Sequence, residues 1–275
     1  MSLPQPSVKN SHGLTAEEER AYREDGFVIR RSVFSEVELQ KLRQAVESVV
    51  ERAAAGGGRR YFVEGNRYVE WEHVTVQYEH APDSRTVRVI EPFHHLHPQL
   101  DALVDDERMV APMRGLVGSD SVALWTDKIN LKRPREGSGF RWHQDSPYWS
   151  HVCDHTDRLL NVLVTLDDAT LENGCFRVIR GSHRQGFLPG IQDGSELGPL
   201  FTDPGSFEEN EQVAFEVPAG SQVFFAAHSV HGSQPNHSDR ARRALVLTYQ
   251  PGDSPMFKIP ATRNAGQPRR SEVAV

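Results

Sequence analysis

The second half of the chain is a series of short strand-forming segments separated by turn residues. Turns are indicated by Glu172-Asn173-Gly174 and Pro218-Ala219-Gly220, where small and polar residues interrupt the apolar pattern. The segments predicted to be strands are residues 122–131, 139–145, 159–166, 175–179, 212–217, 222–225 and 244–249. Short strands with polar turns, preceded by helices, are typical of a double-sheet jelly roll with helices packed outside one sheet. We therefore predict a mainly β fold with flanking helices.

Helices are predicted in the first part of the chain. Thr15 with Glu18 and Ser35 with Glu38 each form the pattern of a capping box, which starts a helix. The first helix should end near Asp25-Gly26 and the second, about 20 residues long, at a run of three glycines. The apolar positions of the second helix recur at roughly helical spacing, at Val37, Leu39, Leu42, Val46, Val49 and Val50.

Three further segments complete the first half. Residues 27–29 are predicted to form a strand, and residues 61–89 alternate polar with aromatic or β-branched residues, as strands do. Residues 93–118 are predicted to be helical, with interruptions at Pro98 and Pro112 and an end at Gly118.

Composition limits the class of protein. With 275 residues, 37% hydrophobic content and a net charge of -7, the chain lacks the basic surface of a nucleic-acid or membrane-binding protein. Two cysteines, no signal segment and no apolar run long enough to span a membrane predict a cytoplasmic protein. We expect an arm over residues 1–14, one domain over residues 15–251 and a tail over residues 252–275.

Two motifs carry candidate chemistry. In Trp142-His143-Gln144-Asp145, the histidine and the aspartate are two residues apart and would point to the same side of an extended strand. A second histidine follows in His231-Gly232-Ser233. Two imidazoles and one carboxylate on one face of an octahedral metal ion leave the opposite positions open, which suits a non-heme iron(II) centre.

Four motifs in order along the chain resemble the phytanoyl-CoA dioxygenase family. They are residues 128–132 (KINLK), 142–149 (WHQDSPYW), 173–183 (NGCFRVIRGSH) and 231–236 (HGSQPN), the last followed by Arg242-Arg243. The match extends over roughly residues 15–250. The resemblance implies a double-stranded β-helix and an oxygenase that uses iron(II), 2-oxoglutarate and O2.

Carried over residue by residue, the metal ligands of the family are His143, Asp145 and His231. The basic residue that binds the far carboxylate of 2-oxoglutarate is Arg242, because a guanidinium binds a carboxylate through two parallel hydrogen bonds. Arg243 is its rival, and only one of two adjacent strand residues can point into the barrel.

Four other positions are similar to co-substrate contacts in the family. Ser233 resembles a hydroxyl that assists the carboxylate, Gln144 and Asn130 lie near the co-substrate in relatives, and Arg88 stands where some members have a lysine. Halogenating relatives replace the carboxylate ligand with a small residue, so the presence of Asp145 disfavours halogenation.

Other histidines offer alternative ligands. His228 is three residues before His231, which would place it on the other face of a strand. The neighbouring histidines at positions 94, 95 and 97 are predicted to be solvated or capping groups. His151, Cys153 and His155 alternate as in a zinc site but have no matching pair of further ligands, and we interpret them as part of a loop over the site.

The substrate is predicted to be a small metabolite, since no basic cluster requires the phosphates of coenzyme A. Residues 59–85, 146–158 and 186–210 are long polar segments that would form lids. Trp142, Tyr148 and Trp149 would line the pocket, although Trp142 could equally point into the core. Hydroxylation is the expected reaction, with desaturation, cyclisation or epimerisation as alternatives, and a non-catalytic binding protein or a metal-dependent hydrolase as other classes. Oligomeric state is not readable from the sequence.

Overall fold

The computed structural model describes residues 12–71, 73–81 and 83–254 of the chain. The predicted arm and tail therefore fall largely outside the described residues. The α-helices are α1 (Ala16–Asp25), α2 (Glu36–Ala55), α3 (Pro98–Asp101), α4 (Glu107–Val117) and α5 (Ser146–Trp149). The strands are β1 (Phe27–Arg30), β2 (Arg59–Val63), β3 (Asn66–Trp71), β4 (Val74–Tyr78), β5 (Val87–Glu91), β6 (Val122–Lys132), β7 (Phe140–His143), β8 (Leu160–Thr165), β9 (Arg177–Ile179), β10 (Gln212–Ala214), β11 (Gln222–Ala226), β12 (His231–Ser233) and β13 (Arg242–Pro251).

The strands form two antiparallel sheets. The larger sheet has the order β1-β11-β8-β13-β6-β5-β4-β3-β2, and the smaller has the order β10-β9-β12-β7. Strands β2 to β6 pair with their neighbours in sequence, whereas β13 pairs with two distant strands, β6 on one side and β8 on the other. The prediction of two sheets of short strands with helices in the first half is confirmed.

The central strands of the larger sheet, such as β8 and β11, are buried on both faces. Along β8, Val162 and Val164 pack with the helices, whereas Leu163 faces the smaller sheet. Because successive side chains of a strand point to opposite faces, a strand covered on both faces needs an unbroken apolar run. This explains why the sequence of β8 shows no polar alternation.

Helix α2 covers the outer face of the larger sheet. Both predicted capping boxes are present, and Ser35 accepts a hydrogen bond from the Glu38 backbone while the Glu38 carboxylate accepts one from Ser35. The buried face of α2 consists of Leu39, Leu42, Ala45, Val46, Val49 and Ala53. The inclusion of Val37 in this face was wrong, because its side chain is 64% exposed in the first turn.

The two prolines in residues 93–118 act differently from the prediction. Pro98 starts α3 instead of interrupting a helix, since the first helical position needs no backbone N–H donor. Pro112 stands inside α4 without ending it. Gly118 ends α4 in the left-handed conformation, as predicted, with a φ of 68°.

Candidate metal centre

Strand pairing brings the two histidines of the motifs together. In the smaller sheet His231 of β12 lies directly opposite His143 of β7. Side chains at directly opposite positions of antiparallel strands are nearest neighbours on the same face. The two imidazole rings have centroids 4.1 Å apart. Two residues that are 88 positions apart in sequence thus become one pair through strand register.

Asp145 reaches the same point by a different route from the one predicted. Strand β7 ends at His143, and Asp145 has helical backbone angles (φ -76°, ψ -31°) at the start of α5. The explanation from an extended strand was therefore wrong, although the side chains do converge. The Asp145 backbone N–H donates to the Ala227 carbonyl, and Asn161 Nδ2 donates to Asp145 Oδ2 at 2.8 Å. These bonds fix the turn and the carboxylate.

Backbone carbonyls orient both imidazoles. His143 Nδ1 lies 2.7 Å from the Arg141 carbonyl, and His231 Nδ1 lies 2.9 Å from the Ser229 carbonyl. A carbonyl oxygen only accepts, so each Nδ1 carries the hydrogen and each Nε2 keeps its lone pair. The Nε2 atoms lie 3.9 Å (His143) and 3.7 Å (His231) from the Asp145 oxygens.

The electrostatics of the cluster keep these groups in their metal-binding protonation states. Burial lowers the pKa of His143 to about 3, with a further contribution from His231. Burial also lowers the pKa of His231. Although burial alone opposes the charge of Asp145, the pKa of the carboxyl is lowered, and the Lys128 ammonium and the hydrogen bond from Asn161 both contribute to this. Neutral imidazoles and an ionised carboxylate are the forms that bind a metal ion.

The three ligand atoms lie within 4.8 Å of one another, and this is the one group of three or more candidate ligands in the described part of the chain. The histidines at positions 94, 95 and 97 form no such group. His94 bonds Asp127 and His97 caps the start of α3. Two imidazole nitrogens and one carboxylate on one side of a cavity fit the donor set of a non-heme iron(II) centre.

His228 lies outside this cluster. Its Nδ1 hydrogen bonds to the Ser146 hydroxyl, and its ring packs against Phe187. In the zinc-like pattern of His151, Cys153 and His155, the central Cys153 is buried in a small apolar cluster with Trp125 and Trp149. Both arrangements agree with the preference for His231 and with the interpretation of the cysteine segment as a loop.

Arg242 lies buried in the same cavity with unused hydrogen-bonding capacity. Its Nη2 donates to the Gly174 carbonyl at 2.6 Å, but its buried Nε has no partner among the described residues. Burial lowers the pKa of Arg242 to about 10, which leaves it charged at neutral pH. A buried guanidinium that forms no salt bridge with a described carboxylate fits the carboxylate of a bound co-substrate.

Arg243 points to the other side of β13, as the alternation of the strand requires. Its guanidinium binds Asp167 at 2.7 Å and Glu47 at 3.0 Å. These carboxylates raise the pKa of Arg243 and occupy its donors. The expectation that only one of the two arginines enters the barrel agrees with this geometry.

Strand register arranges the polar lining of the cavity. On β13 and β6, Arg242 lies opposite Lys132, Ala244 opposite Asn130 and Val246 opposite Lys128. Since every second residue shares a face, Asn130 and Lys128 line the same cavity as Arg242. Ser233 also lines it.

Arg88 lines the cavity from β5. Its Nη2 donates to the Gly139 carbonyl at 2.6 Å and its Nη1 donates to His80 Nε2 at 3.0 Å. Burial lowers the pKa of Arg88, an effect that Glu79 partly opposes.

Gln144 does not face the cavity, in contrast to the expectation. Its side-chain amide nitrogen, Nε2, donates to the carbonyls of Gly186 and His228. Its amide oxygen, Oε1, accepts from the Leu188 backbone N–H. Between His143 and Asp145 the chain leaves the strand, so the intervening side chain turns into the loop that follows β9. Gln144 therefore supports a loop instead of contacting the co-substrate.

Three polar residues near the site escaped the sequence analysis: Asn161, Lys128 and Lys132. Asn161 holds Asp145, and Lys128 lines the cavity. Lys132 is fully buried and donates to the Gln234 carbonyl, while burial and the nearby Arg242 lower its pKa to about 5. Once Asn130 is placed inside, the alternation of a strand points to both lysines, but no local pattern points to Asn161.

The cavity has a volume of about 660 Å³, within the usual range for small-molecule sites. All three predicted lid segments contribute to it, with Tyr68 from the first, Tyr148 from the second and Phe201 from the third. Trp142 and Trp149 do not line it. Trp142 packs against Phe207, and Trp149 against Trp125.

Within the described residues, no helix has both the length and the apolar character needed to cross a lipid bilayer. Cys153 and Cys175 are both buried and free.

Known proteins resemble this chain over most of its length. The family model for phytanoyl-CoA dioxygenase (PhyH) matches residues 22–244. An ectoine dioxygenase from Bordetella bronchiseptica is 30% identical over 258 residues, which cover 88% of this chain and 77% of that protein. A probable alpha-ketoglutarate-dependent hypophosphite dioxygenase from Stutzerimonas stutzeri is 26% identical over 247 residues, covering 88% and 80%.

The fold is also that of a solved structure. EctD from S. alaskensis, solved with 2-oxoglutarate and 5-hydroxyectoine, superimposes with a TM-score of 0.68 at 24% identity, covering 96% of this chain and 88% of that one. The predicted double-stranded β-helix, or jelly roll, is thereby confirmed. The chain belongs to the phytanoyl-CoA dioxygenase family of iron(II)- and 2-oxoglutarate-dependent oxygenases.

Proposed function

We propose that this oxygenase hydroxylates a small-molecule metabolite at an iron(II) ion held by His143, Asp145 and His231. One observation carries the assignment of residues: the three ligand atoms converge in a cavity that also contains a buried guanidinium, Arg242, with an unpartnered Nε. A metal site and an anion site in one cavity are what a chelating dicarboxylate needs.

Each residue has a separate task in this proposal. His143 and His231 present neutral Nε2 atoms because their Nδ1 atoms are bound to carbonyls. Asn161 keeps the Asp145 carboxylate turned toward the histidines. Arg242 binds the far carboxylate of 2-oxoglutarate, and Ser233, Asn130 and Arg88 line the space beside it. When bound, iron and 2-oxoglutarate supply the oxidising power by coupling O2 reduction to the formation of succinate and carbon dioxide.

Alternatives with the same cofactors differ only in what happens to the substrate. Desaturation, cyclisation and epimerisation need the same metal and co-substrate contacts, so the residues assigned here serve them equally. A hydrolase would have no use for Arg242 in the cavity, and a binding protein would not need a complete ligand set. Retention of Asp145 as a ligand disfavours chloride binding and therefore halogenation.

The proposal is tested by anaerobic titration of the purified protein with iron(II) and 2-oxoglutarate. We expect the weak visible charge-transfer band of the chelate to appear and to be lost in His143→Ala. His151→Ala, a change in the loop after α5 outside the ligand cluster, is the control and should keep the band. Absence of the band when iron is shown to be bound would favour the hydrolase or the binding protein.

We also propose that residues 15–251 form a single domain and that the protein is cytoplasmic. The first is supported by the continuous larger sheet, which joins β1 near the start of the domain to β13 at its end.

A further inference from the structure

Lys128 places an ammonium group in the cavity, and the proposed cofactor contacts do not include it. It lies opposite Val246 in the β6–β13 register, on the cavity face, and its side chain is 27% exposed. Its Nζ lies 3.9 Å from Glu91 Oε2, which is longer than a hydrogen bond. The nitrogen therefore keeps donors for a ligand.

After the residues assigned to the cofactors are set aside, the charged residues that line the cavity carry a net positive charge. Arg242 is assigned to 2-oxoglutarate and Asp145 to the metal. The remaining charged residues that line the cavity are the cations Arg88, Lys128 and Arg141 and the acids Glu64 and Glu91. The three cations and two acids leave a surplus of one positive charge, which favours an anionic over a cationic ligand.

Strand register places Lys128 near the metal ligand Asp145. Lys128, Val246 and Leu163 lie opposite one another across β6, β13 and β8. Asn161, which binds Asp145, is two residues from Leu163 on β8 and so shares its face. Arg88 is held by Gly139 and His80. Arg141 is exposed and its guanidinium stacks over Phe201, a residue of the third lid segment.

The Lys128 ammonium is also held in place. Its Nζ lies 5.6 Å from the Trp149 ring centroid, within the range of a cation–π contact. The Thr126 hydroxyl donates to Glu91 Oε1 at 2.7 Å, which fixes the carboxylate beside the lysine. Burial opposes the charge of Lys128, but Glu91 and Asp145 outweigh it and raise the pKa of the ammonium.

We propose that the substrate carries a compact oxyanion, such as a carboxylate, and that Lys128 Nζ binds it beside the metal. This inference rests on the proposed function and specifies its substrate class. An anion at Lys128 would hold the carbon atoms next to the acidic group near the metal, so oxidation would occur close to that group.

The test uses acetate as the anionic probe and acetamide as its neutral equivalent of the same size. Each is titrated into the anaerobic complex of the full chain with iron(II) and saturating 2-oxoglutarate, at constant ionic strength, while the charge-transfer band is recorded. We expect acetate to perturb the band at concentrations at least tenfold lower than acetamide. Lys128→Gln should abolish this difference, and Lys128→Arg should retain it within about threefold.

A charge reversal adds a readout that a purely structural role would not change. In Lys128→Glu, methylammonium should perturb the band in place of acetate. Lys41→Gln, on helix α2 and outside the cavity, is the matched control and should behave as the unaltered protein. Thermal unfolding of each variant shows whether it is folded.

Each outcome decides whether Lys128 binds an anion. Equal responses to acetate and acetamide, no response to acetate, or an unchanged acetate response in folded Lys128→Gln would overturn the inference while the band itself upholds the proposed function. If the unaltered protein gives no band, the proposed function fails and the inference falls with it. If Lys128→Gln does not fold, Lys128→Arg and Lys128→Glu still decide, because only a binding role predicts their opposite probe preferences.

Discussion

The deep end of the cavity and its mouth are built in different ways. At the deep end, His143, His231 and Arg242 stand on paired strands, and their positions follow from register. The mouth is formed by Tyr68 on β3, Tyr148 in α5 and Phe201 in the segment between β9 and β10, which share no strand register with one another. Strand register fixes the side chains of the deep end relative to one another, whereas the mouth residues belong to three separately placed segments, so the deep end suits the shared chemistry and the mouth suits substrate selection.

The hydrogen bonds of the two regions show the same contrast. At the deep end, hydrogen bonds orient the functional side chains. Asn161 donates to Asp145 and Arg242 donates to Gly174, which joins each to a distant segment of the chain. At the mouth, Arg141 contacts Phe201 through a ring face, which imposes less direction than a hydrogen bond. Changes at the deep end should therefore alter cofactor binding, and changes at the mouth should not.

The largest effect is expected for Asp145→Ala. Removal of the carboxylate leaves two neutral ligands for a divalent ion, so iron-dependent formation of succinate from 2-oxoglutarate should fall at least several hundredfold, about 3–4 kcal/mol. Asp154→Ala, an exposed acid in the loop after α5, is the control and should retain activity. Succinate release within tenfold of the unaltered protein would remove Asp145 from the site.

Arg242→Ala should have the next largest effect, and this effect should be confined to the binding of 2-oxoglutarate. Two hydrogen bonds to a charged group contribute about 1.5 kcal/mol or more each, so the KM for 2-oxoglutarate should rise about 100-fold. Arg243→Ala is the matched neighbour. It should lower the temperature of unfolding, because it loses Asp167 and Glu47, and leave this KM within threefold. The reverse result would exchange the roles of the two arginines.

A smaller effect is expected for Asn161→Ala, which removes the hydrogen bond from Asn161 to the Asp145 carboxylate. Loss of a residue that orients a metal ligand weakens metal affinity by about 10-fold to 100-fold, and we expect the lower value because the histidines are untouched. Iron affinity can be measured by competition with a chelator. Thr165→Val, on the same strand, loses bonds to Pro218 and Ser221 but should leave iron affinity unchanged. Equal losses in both variants would indicate general destabilisation of β8.

The smallest effect on cofactor chemistry is expected at the mouth. Phe201→Ala enlarges the cavity and removes the support of Arg141, but it should change the affinity for 2-oxoglutarate less than about threefold, since no cofactor contact is assigned to it. Phe187→Ala, in the same lid segment but outside the lining, is the control. A tenfold change in 2-oxoglutarate affinity in Phe201→Ala would contradict the division between deep end and mouth.

Local rules were sufficient for the elements and for the residue types of the site. The capping boxes at Thr15 and Ser35, the helix end at Gly118 and the alternation that separates Arg242 from Arg243 depend on neighbours a few residues away. Such patterns can be read from the sequence because they involve only nearby residues. Two failures in the helices, at Val37 and Pro112, concern residues whose exposure or tolerance depends on what packs beside the helix.

The sequence by itself determined that this is a jelly roll of short strands with His143, Asp145, His231 and Arg242 as its candidate chemistry. Only the tertiary structure decided that His231 faces His143, that Asp145 arrives on a turn and that Gln144 points away. It also decided that Asn161 and Lys128 reach the site. The physical reason is that strand register and the path of a turn are set by contacts between distant segments, which leave no local periodic signal.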